Sequence, residues 1–191
     1  AEEVAQMRRL IDGRAVSVKG RAVCLLRDGM RVTLDGIAKG YVVDCGAEVL
    51  KRHGIQYGLI NAGGDIRAVG GKHASAPWKV AVRDPDDPHV YAGYVALNDG
   101  ALATSGDYEV YFDTDHVHHH LLNPDTGTSP NHTRSASVTA KDTLTADALA
   151  TACFVMKPSE RQSLFQRLPA SDYMVIEHSG RSFTSNNWPF A

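Results

Sequence analysis

Hydrophobic and polar positions change their spacing several times along this chain, and each change predicts a new element of secondary structure. Residues 2–11 have a short helical phase. A β-hairpin is predicted next. Hydrophobic residues alternate loosely over residues 15–26, Asp28-Gly29 is typical of a turn, and the apolar segment 30–34 follows. A four-residue spacing then predicts a long helix ending at Gly54. Its apolar stripe consists of Ile37, Tyr41, Val42, Cys45, Val49 and Leu50.

Strands dominate the middle of the chain. Alternation predicts strands at 57–60, 78–83, 93–97, 108–112, 117–122 and 135–140. Helices are expected at 146–156 and at 159–168, where Ser159 is the expected cap, and a hairpin around Ser179-Gly180 follows. This order predicts an α+β fold with a mixed, mostly antiparallel sheet flanked by helices, rather than a doubly wound parallel fold. We expect residues 1–191 to form one domain.

Composition narrows the possible classes of protein. The chain has 191 residues, 22% of them charged, and a formal net charge of −2 without a basic cluster, which argues against nucleic-acid binding by bulk charge. The sequence has no run of 18 or more apolar residues, so it predicts no membrane-spanning helix. Three cysteines are too few and too scattered for a disulfide framework or a zinc site, and we expect Cys153 to be a buried thiol.

A glycine-rich junction between a strand and a helix is the first candidate for chemistry. Gly36 and Gly40 allow close approach of a ligand to the backbone, and a helix start favours anions. Lys39 places a cation there, which is unfavourable unless the cation meets an anion. The segment is similar to a phosphate cradle, although a tight turn with a solvated lysine explains the spacing equally well.

The helix at 146–156 carries the second candidate. Asp147 and Thr151 are four residues apart, so they are neighbours beside its apolar face. A carboxylate and a hydroxyl on one side of a helix suit Mg²⁺, which prefers hard oxygen ligands. The alternative is an aspartate that only favours the helix dipole.

Three further segments carry weaker signals. Residues 61–66 have the composition of a common turn, and residues 103–108 suit either ligand contacts or a β-bulge. In the segment 118–120, alternation places His118 and His120 on one face and His119 on the other. We expect His118 and His119 to be surface histidines rather than ligands of a metal.

Together, five segments in this order resemble the ApbE family, the flavin transferases that move FMN from FAD onto a protein threonine. The segments are Asp35–Asp44, Asn61–Ile66, Ala101–Tyr108, His120–Gly127 and Ala146–Ala152. The resemblance implies the family's T-fold-related α+β architecture, dependence on Mg²⁺, and FAD as donor. It also implies a phosphoester bond from FMN to a Thr or Ser hydroxyl of a client redox protein, with release of AMP.

The resemblance also implies roles for particular residues. The metal is expected at the carbonyl of Gly36 and the side chains of Asp147 and Thr151. Contacts with FAD are expected at Thr33, Lys39, Asp65 and Leu121, although the family usually has an aspartate where this chain has Thr33. We interpret His120 as the catalytic base, because histidine titrates near neutral pH and this residue enters the turn beside Leu121.

Two expectations concern the protein as a whole. The chain begins where the second half of the family's sequence begins, so we expect the family's N-terminal portion to be missing. Because clients of the family are membrane-bound or secreted redox proteins, we expect a periplasmic location or the outer face of the cytoplasmic membrane. The alternatives are a non-catalytic flavin-binding or assembly factor, and an FAD pyrophosphatase.

Overall fold

The computed structural model describes residues 2–115 and 117–191. Its α-helices are α1 (Glu2–Arg8), α2 (Ala38–Arg52), α3 (Thr143–Val155) and α4 (Pro158–Gln166). Its strands are β1 (Val16–Lys19), β2 (Ala22–Leu25), β3 (Gly58–Ala62), β4 (Asp65–Val69), β5 (Trp78–Arg83), β6 (Tyr91–Leu97), β7 (Ala101–Gly106), β8 (Thr133–Ala140), β9 (Asp172–Glu177) and β10 (Ser182–Thr184). The predicted α+β class and the antiparallel character of the sheet are confirmed. None of the described helices is both long and apolar enough to cross a membrane.

A six-stranded antiparallel sheet, in the order β10-β9-β8-β7-β4-β3, lies between a helical layer and the β5-β6 hairpin. Successive side chains of a strand point to opposite faces. Ala101 and Ala103 therefore pack against α3, whereas Leu102 packs toward the hairpin. Alanines on α3 meet alanines of β7 and β8, so the helix approaches the sheet closely.

The buried face of α2 is not the apolar stripe that indicates the helix in the sequence. The stripe residues Tyr41 and Val42 are 59% and 66% exposed, whereas Gly40, Val43 and Ala47 are buried. Size explains the choice of face, since a Cβ atom at Gly40 would lie only 2.5 Å from the carbonyl oxygen of Thr143. A helix can come this close only where it has no side chain. The apolar stripe of the sequence is therefore not the packing face of α2.

Two predicted hairpins differ from the observed structure. The first turn lies at Gly20, which has a φ of +60°, so β1 pairs with β2 and residues 30–34 form no strand. Residues 108–112 and 117–122 contribute only an isolated bridge between Tyr111 and His119. The Asp113 carboxylate accepts hydrogen bonds from the backbone N–H groups of Val117 and His118, and so replaces ladder bonds there.

The start of α4 also differs from the prediction. Lys157 rather than Ser159 is the N-cap, Pro158 is the first helical residue, and the Glu160 carboxylate accepts a hydrogen bond from the Lys157 N–H at 3.0 Å. Proline suits this position because its missing N–H would be unpaired there in any case.

Candidate functional site

The candidate site lies where α2 crosses α3. The Asp147 carboxylate accepts a hydrogen bond from the Gly40 N–H at 3.0 Å, and both residues are buried. The first N–H groups of α3 have other partners: Asp44 accepts from Thr143 and Leu144 at 2.8 Å. Asp147 is therefore not needed to cap its own helix, and it instead accepts from an N–H group in the first turn of α2.

Asp44 is a residue that sequence reasoning missed. It joins the two helices and also forms an ion pair with Arg67 at 3.5 Å. The available signal was its position, since it lies four residues after Gly40 on the face that carries small residues. A polar residue on such a face indicates a contact between helices rather than exposure to solvent.

Asp65 brings a second carboxylate to the junction. It begins β4, and its side chain is 1% exposed. Its Oδ1 lies 3.3 Å from the ammonium of Lys39, whereas its Oδ2 is buried without a hydrogen-bond partner. Burial, together with repulsion from Asp147, raises the pKa of Asp65 to about 6, and Lys39 opposes this shift. Asp65 therefore interacts unfavourably with the Asp147 carboxylate and favourably with the Lys39 ammonium.

Lys39 accordingly has a partner at the start of α2. Besides Asp65, its ammonium donates a hydrogen bond to the Gly63 carbonyl oxygen at 3.4 Å. About half of the side chain is exposed. The sequence left open whether this lysine is merely solvated; in the structure it neutralises part of a buried acidic pair and still faces outward.

Thr151 and Gly36 lie together at the same junction. A Cβ atom at Gly36 would be 3.9 Å from the Thr151 hydroxyl, which is also 3.2 Å from the hydroxyl of Ser105 on β7. Because Thr151 follows Asp147 by one helical turn, the structure brings the three predicted metal ligands to one end of the helix crossing. Ser105 lies in strand β7, which the alternation pattern did not predict as a strand.

The donor set fits a hard cation. Carboxylate, hydroxyl and carbonyl oxygens are the ligands that Mg²⁺ takes in proteins, and the unpaired Oδ2 of Asp65 is an oxygen without a partner beside them. No group of three or more His, Cys, Asp or Glu suited to a metal occurs within residues 2–115 and 117–191. Magnesium here would therefore need the hydroxyl and carbonyl oxygens as well as the carboxylates.

An apolar cavity of about 510 Å³ opens beside Gly36 and Thr151. Its walls also include Ile37, Leu122 and Pro124. The space is large enough for an aromatic ring system or several small side chains of a peptide. A reacting group at the helix crossing would thus have an apolar surface next to it.

The histidines of the segment 118–120 divide as the alternation predicts. His118 and His120 are exposed, and His119 is 2% exposed. The prediction of a surface position for His119 was wrong, because its ring packs against Phe154 with 5.5 Å between centroids. Burial lowers the pKa of His119.

His120 has a defined hydrogen-bond arrangement. Its Nδ1 lies 3.3 Å from the carbonyl oxygen of Val110, which can only accept a hydrogen bond. Nδ1 is therefore the protonated nitrogen, and Nε2 of the neutral ring carries the free lone pair. This tautomer is the one that a general base at Nε2 requires.

The two remaining residues expected to contact FAD lie in different surroundings. The side chain of Leu121 belongs to the core between the sheet and the helices, so any contact of Leu121 with a ligand would have to come from its backbone. Thr33 is exposed, and its hydroxyl accepts a hydrogen bond from the Asp35 N–H at 3.2 Å. Its side chain thus helps to shape the turn before α2.

A second charged cluster supports the loop that carries the histidines. Asp107 is 1% exposed and pairs with Arg134 at 2.5 Å and with His178 at 3.0 Å. Arg134 also donates to the Tyr111 hydroxyl at 3.4 Å, and Tyr111 forms the bridge with His119. Sequence analysis did not single out Arg134, because one arginine in a strand carries no local signal.

Comparison with known proteins gives a consistent result. The sequence profile of the ApbE family matches residues 1–175. The chain is 36% identical over 166 residues to a FAD:protein FMN transferase of Treponema pallidum, covering 81% of this chain and 46% of the relative. It is also 36% identical over 160 residues to a FAD:protein FMN transferase of Vibrio cholerae, covering 81% and 48%.

Solved structures agree with the sequence comparison. The ApbE protein of Thermotoga maritima matches with a TM-score of 0.88 and 33% identity, covering 97% of this chain and 62% of that one. The apo form of the Pseudomonas stutzeri flavinyl transferase ApbE matches with a TM-score of 0.79 and 30% identity, covering 97% and 59%. The chain thus spans about half the length of the curated relatives it matches. By sequence and by fold, it belongs to the ApbE family.

Proposed function

We propose that this chain transfers FMN from FAD to a Thr or Ser hydroxyl of a client protein in a Mg²⁺-dependent reaction that releases AMP. The observation that carries the proposal is the pair of buried carboxylates, Asp65 and Asp147, beside the exposed ammonium of Lys39 at the start of α2. Such a site suits a divalent cation together with a pyrophosphate. The names of the relatives support the choice of FAD as donor and a protein as acceptor.

The residues of the helix crossing are assigned to binding the donor. Asp147, Thr151 and the Gly36 carbonyl would hold Mg²⁺, which when bound neutralises negative charge on the pyrophosphate. Lys39 and the positive end of the α2 dipole attract the same phosphates. Thr33, Asp65 and the backbone at Leu121 complete the surface expected to face FAD.

His120 is assigned to the acceptor. In the proposed step, its Nε2 takes the proton of the client hydroxyl while the hydroxyl oxygen forms a bond to the phosphorus of the FMN moiety. The phosphoanhydride bond to the AMP moiety breaks, and AMP leaves with the electron pair of that bond. The hydrogen bond from Nδ1 to Val110 keeps the ring in the required tautomer.

The direct test is incubation of the chain with FAD, Mg²⁺ and a peptide that contains a Ser/Thr flavinylation motif. We expect the peptide to gain the mass of FMN and an equal amount of AMP to appear. FMN and AMP without a modified peptide would identify an FAD pyrophosphatase. Binding of FAD without any product would identify a flavin-binding or assembly factor.

A matched pair of variants tests the base. His120→Asn should lower the transfer rate by about 10²- to 10⁴-fold, the usual contribution of general base catalysis. His118→Asn is the control, because His118 is exposed and Asp113 still holds its loop through backbone N–H groups. Equal rates for the two variants would contradict the role of His120.

Location and client stay predictions from the family resemblance. A periplasmic protein, or one on the outer face of the cytoplasmic membrane, would meet the membrane-bound or secreted redox proteins expected as clients. The sequence encoded upstream tests this, since an apolar segment followed by a cleavage site would indicate export.

A further inference from the structure

We propose that Asp65 is an additional ligand of the divalent cation at the helix crossing, and that Lys39 neutralises Asp65 until the cation binds. The inference deepens the proposed function and rests on its cation site. It adds a carboxylate to the set of Gly36, Asp147 and Thr151. It also assigns Lys39 two successive partners.

The first argument is the buried oxygen without a partner. Only 1% of Asp65 is exposed, and its Oδ2 accepts no hydrogen bond, although leaving a buried acceptor unpaired destabilises a folded protein. Asp107, which is buried to the same extent, has a partner for each oxygen. A carboxylate kept only for stability would be expected to resemble Asp107.

The second argument is that the position of Asp65 is fixed in advance. It follows the Gly63-Gly64 turn, where both glycines have positive φ values of +61° and +98°. The Asn61 side chain accepts a hydrogen bond from the Gly64 N–H at 3.0 Å and closes this turn. The backbone of Asp65 then pairs with Ala62, so its carboxylate is held by a hairpin and not by a mobile loop.

The third argument concerns charge. Asp65 and Asp147 contribute two negative charges and Lys39 one positive charge, which leaves one net negative charge at the junction. Arg67, the next basic residue along β4, is already paired with Asp44 at 3.5 Å. A divalent cation would change the net charge of the three groups to +1, which is the sign that attracts a pyrophosphate.

Lys39 can change partners because its side chain is 47% exposed. Its ammonium lies 3.3 Å from Oδ1 of Asp65, so it occupies space beside the same carboxylate that the cation would use. When the cation binds Asp65, Lys39 is released to face the anionic substrate. Lysine suits such an exchange because its charge lies at the end of a flexible chain.

The experiment measures binding of Mn²⁺ alone, by electron paramagnetic resonance of the free ion at pH 8, without FAD. Asp65→Asn should weaken Mn²⁺ binding at least 10-fold, since it replaces a charged ligand with an amide of equal size. Lys39→Met should instead tighten Mn²⁺ binding, because it removes the competing ammonium. The double variant should bind Mn²⁺ more weakly than Lys39→Met, because it lacks the carboxylate ligand that the single variant keeps.

Asp142→Asn is the matched control. It removes one negative charge next to α3, and asparagine still caps a helix, so Mn²⁺ affinity should stay within about twofold of the unsubstituted chain. Wild-type affinity in Asp65→Asn, or weaker binding in Lys39→Met, would overturn the proposal. Absence of Mn²⁺ binding by the unsubstituted chain would overturn it as well.

The test is separable from that of the proposed function. If Asp65→Asn binds Mn²⁺ normally while the unsubstituted chain modifies the peptide, the additional ligand is wrong and the transferase is right. If the metal results hold and no peptide or AMP product forms, the ligand assignment stands and the transferase proposal fails. Circular dichroism of every variant checks that the effect on binding does not come from unfolding.

Discussion

Asp65 and Asp107 are equally buried aspartates at the ends of neighbouring strands, and their surroundings differ in one decisive way. Both oxygens of Asp107 are paired, one with Arg134 at 2.5 Å and the other with His178 at 3.0 Å. Asp65 has one ammonium at 3.3 Å, an unpaired oxygen and a second carboxylate close by. The contacts of Asp107 join strands and loops of the protein. Asp65, in contrast, keeps one oxygen available to bind a ligand.

The difference teaches which buried charges indicate function. A carboxylate whose every oxygen is paired within the protein has nothing left to offer a ligand. A buried carboxylate that is held close to a second carboxylate lowers the stability of the folded protein. Proteins keep such destabilising residues where the activity requires them. Substitutions at the two aspartates should therefore have opposite effects on stability.

Asp107→Asn is expected to give the largest effect. The amide cannot pair with Arg134 and His178 as a carboxylate does, and breaking a fully buried ion pair costs about 3–5 kcal/mol. The Asp86 carboxylate stays 2.7 Å from Arg134 and His178 is half exposed, so we expect a smaller loss of about 2–3 kcal/mol. Urea unfolding measures the loss in the free energy of unfolding, and a loss below about 0.5 kcal/mol would contradict a structural role for Asp107.

Gly40→Ala should come next. A Cβ atom there would lie 2.5 Å from the Thr143 carbonyl oxygen and 2.9 Å from Cβ of Asp147, so α2 and α3 must move apart. Overpacking of this kind costs about 1–3 kcal/mol, and the movement should also weaken Mn²⁺ binding. Calorimetric unfolding and Mn²⁺ titration measure the two effects.

Gly46→Ala on the same helix is the control for Gly40. Its Cβ atom would meet only the end of the Ile60 side chain at 3.1 Å, which can shift. A Gly-to-Ala change inside a helix gains about 0.5–1 kcal/mol, so Gly46→Ala should be near neutral or stabilising. If both variants behave alike, the close approach at Gly40 is not what positions Asp147.

Prediction from the sequence succeeded where one face of an element is buried and the other is exposed. The strand at 78–83 has the same bounds as β5, because the pattern alternates there. Strand β4 is buried at all five positions, including Asp65 and Arg67, and the sequence predicted a turn over its first residues because two glycines and an aspartate are typical of turns. The region around Asp65 was therefore the hardest part of the sheet to predict.

The candidate site divides in a similar way. Asp147 and Thr151 were predictable because a helical spacing of four places them together. The meeting of Asp65 with Lys39 depends on how β4 packs beside α2, which no local pattern encodes. The same holds for the packing face of α2, where the absence of a side chain at Gly40 outweighs the hydrophobicity of Tyr41 and Val42.

Asp65→Asn should change stability less than the first two variants and in the opposite direction. Removing the charge ends the repulsion with Asp147 that, with burial, raises the pKa of Asp65 to about 6. The metal-free chain should gain about 1 kcal/mol, as substitutions that relieve strained functional sites often do. Thermal unfolding in chelator measures this, and a loss of stability would show that the Lys39 pair is worth more than the repulsion costs.

Substitution of His119, which lies in the region supported by Asp107, should give the smallest effect, a change in how stability depends on pH. Burial lowers the pKa of His119 from its ordinary value near 6.5, while Pro130 and Asp107 act in the opposite direction and His120 and His178 add to the lowering. Below pH 6.5 the unfolded chain therefore binds more protons than the folded one at this residue. Stability that is present above pH 6.5 is then lost as the pH falls toward the folded value.

The measurement is thermal unfolding at pH 5 and pH 7. His119→Gln should flatten the slope, because the amide can still donate to the Pro130 carbonyl oxygen, 3.1 Å from Nε2, but takes up no proton. His89→Gln is the control, because His89 is exposed and only its backbone N–H bonds to Asp87. An equal change of slope in both variants would mean that burial of His119 does not set the acid sensitivity of this region. A flat profile in the unsubstituted chain would mean that the folded and unfolded chains take up equal numbers of protons over this range, which would contradict a stability cost from the lowered pKa of His119.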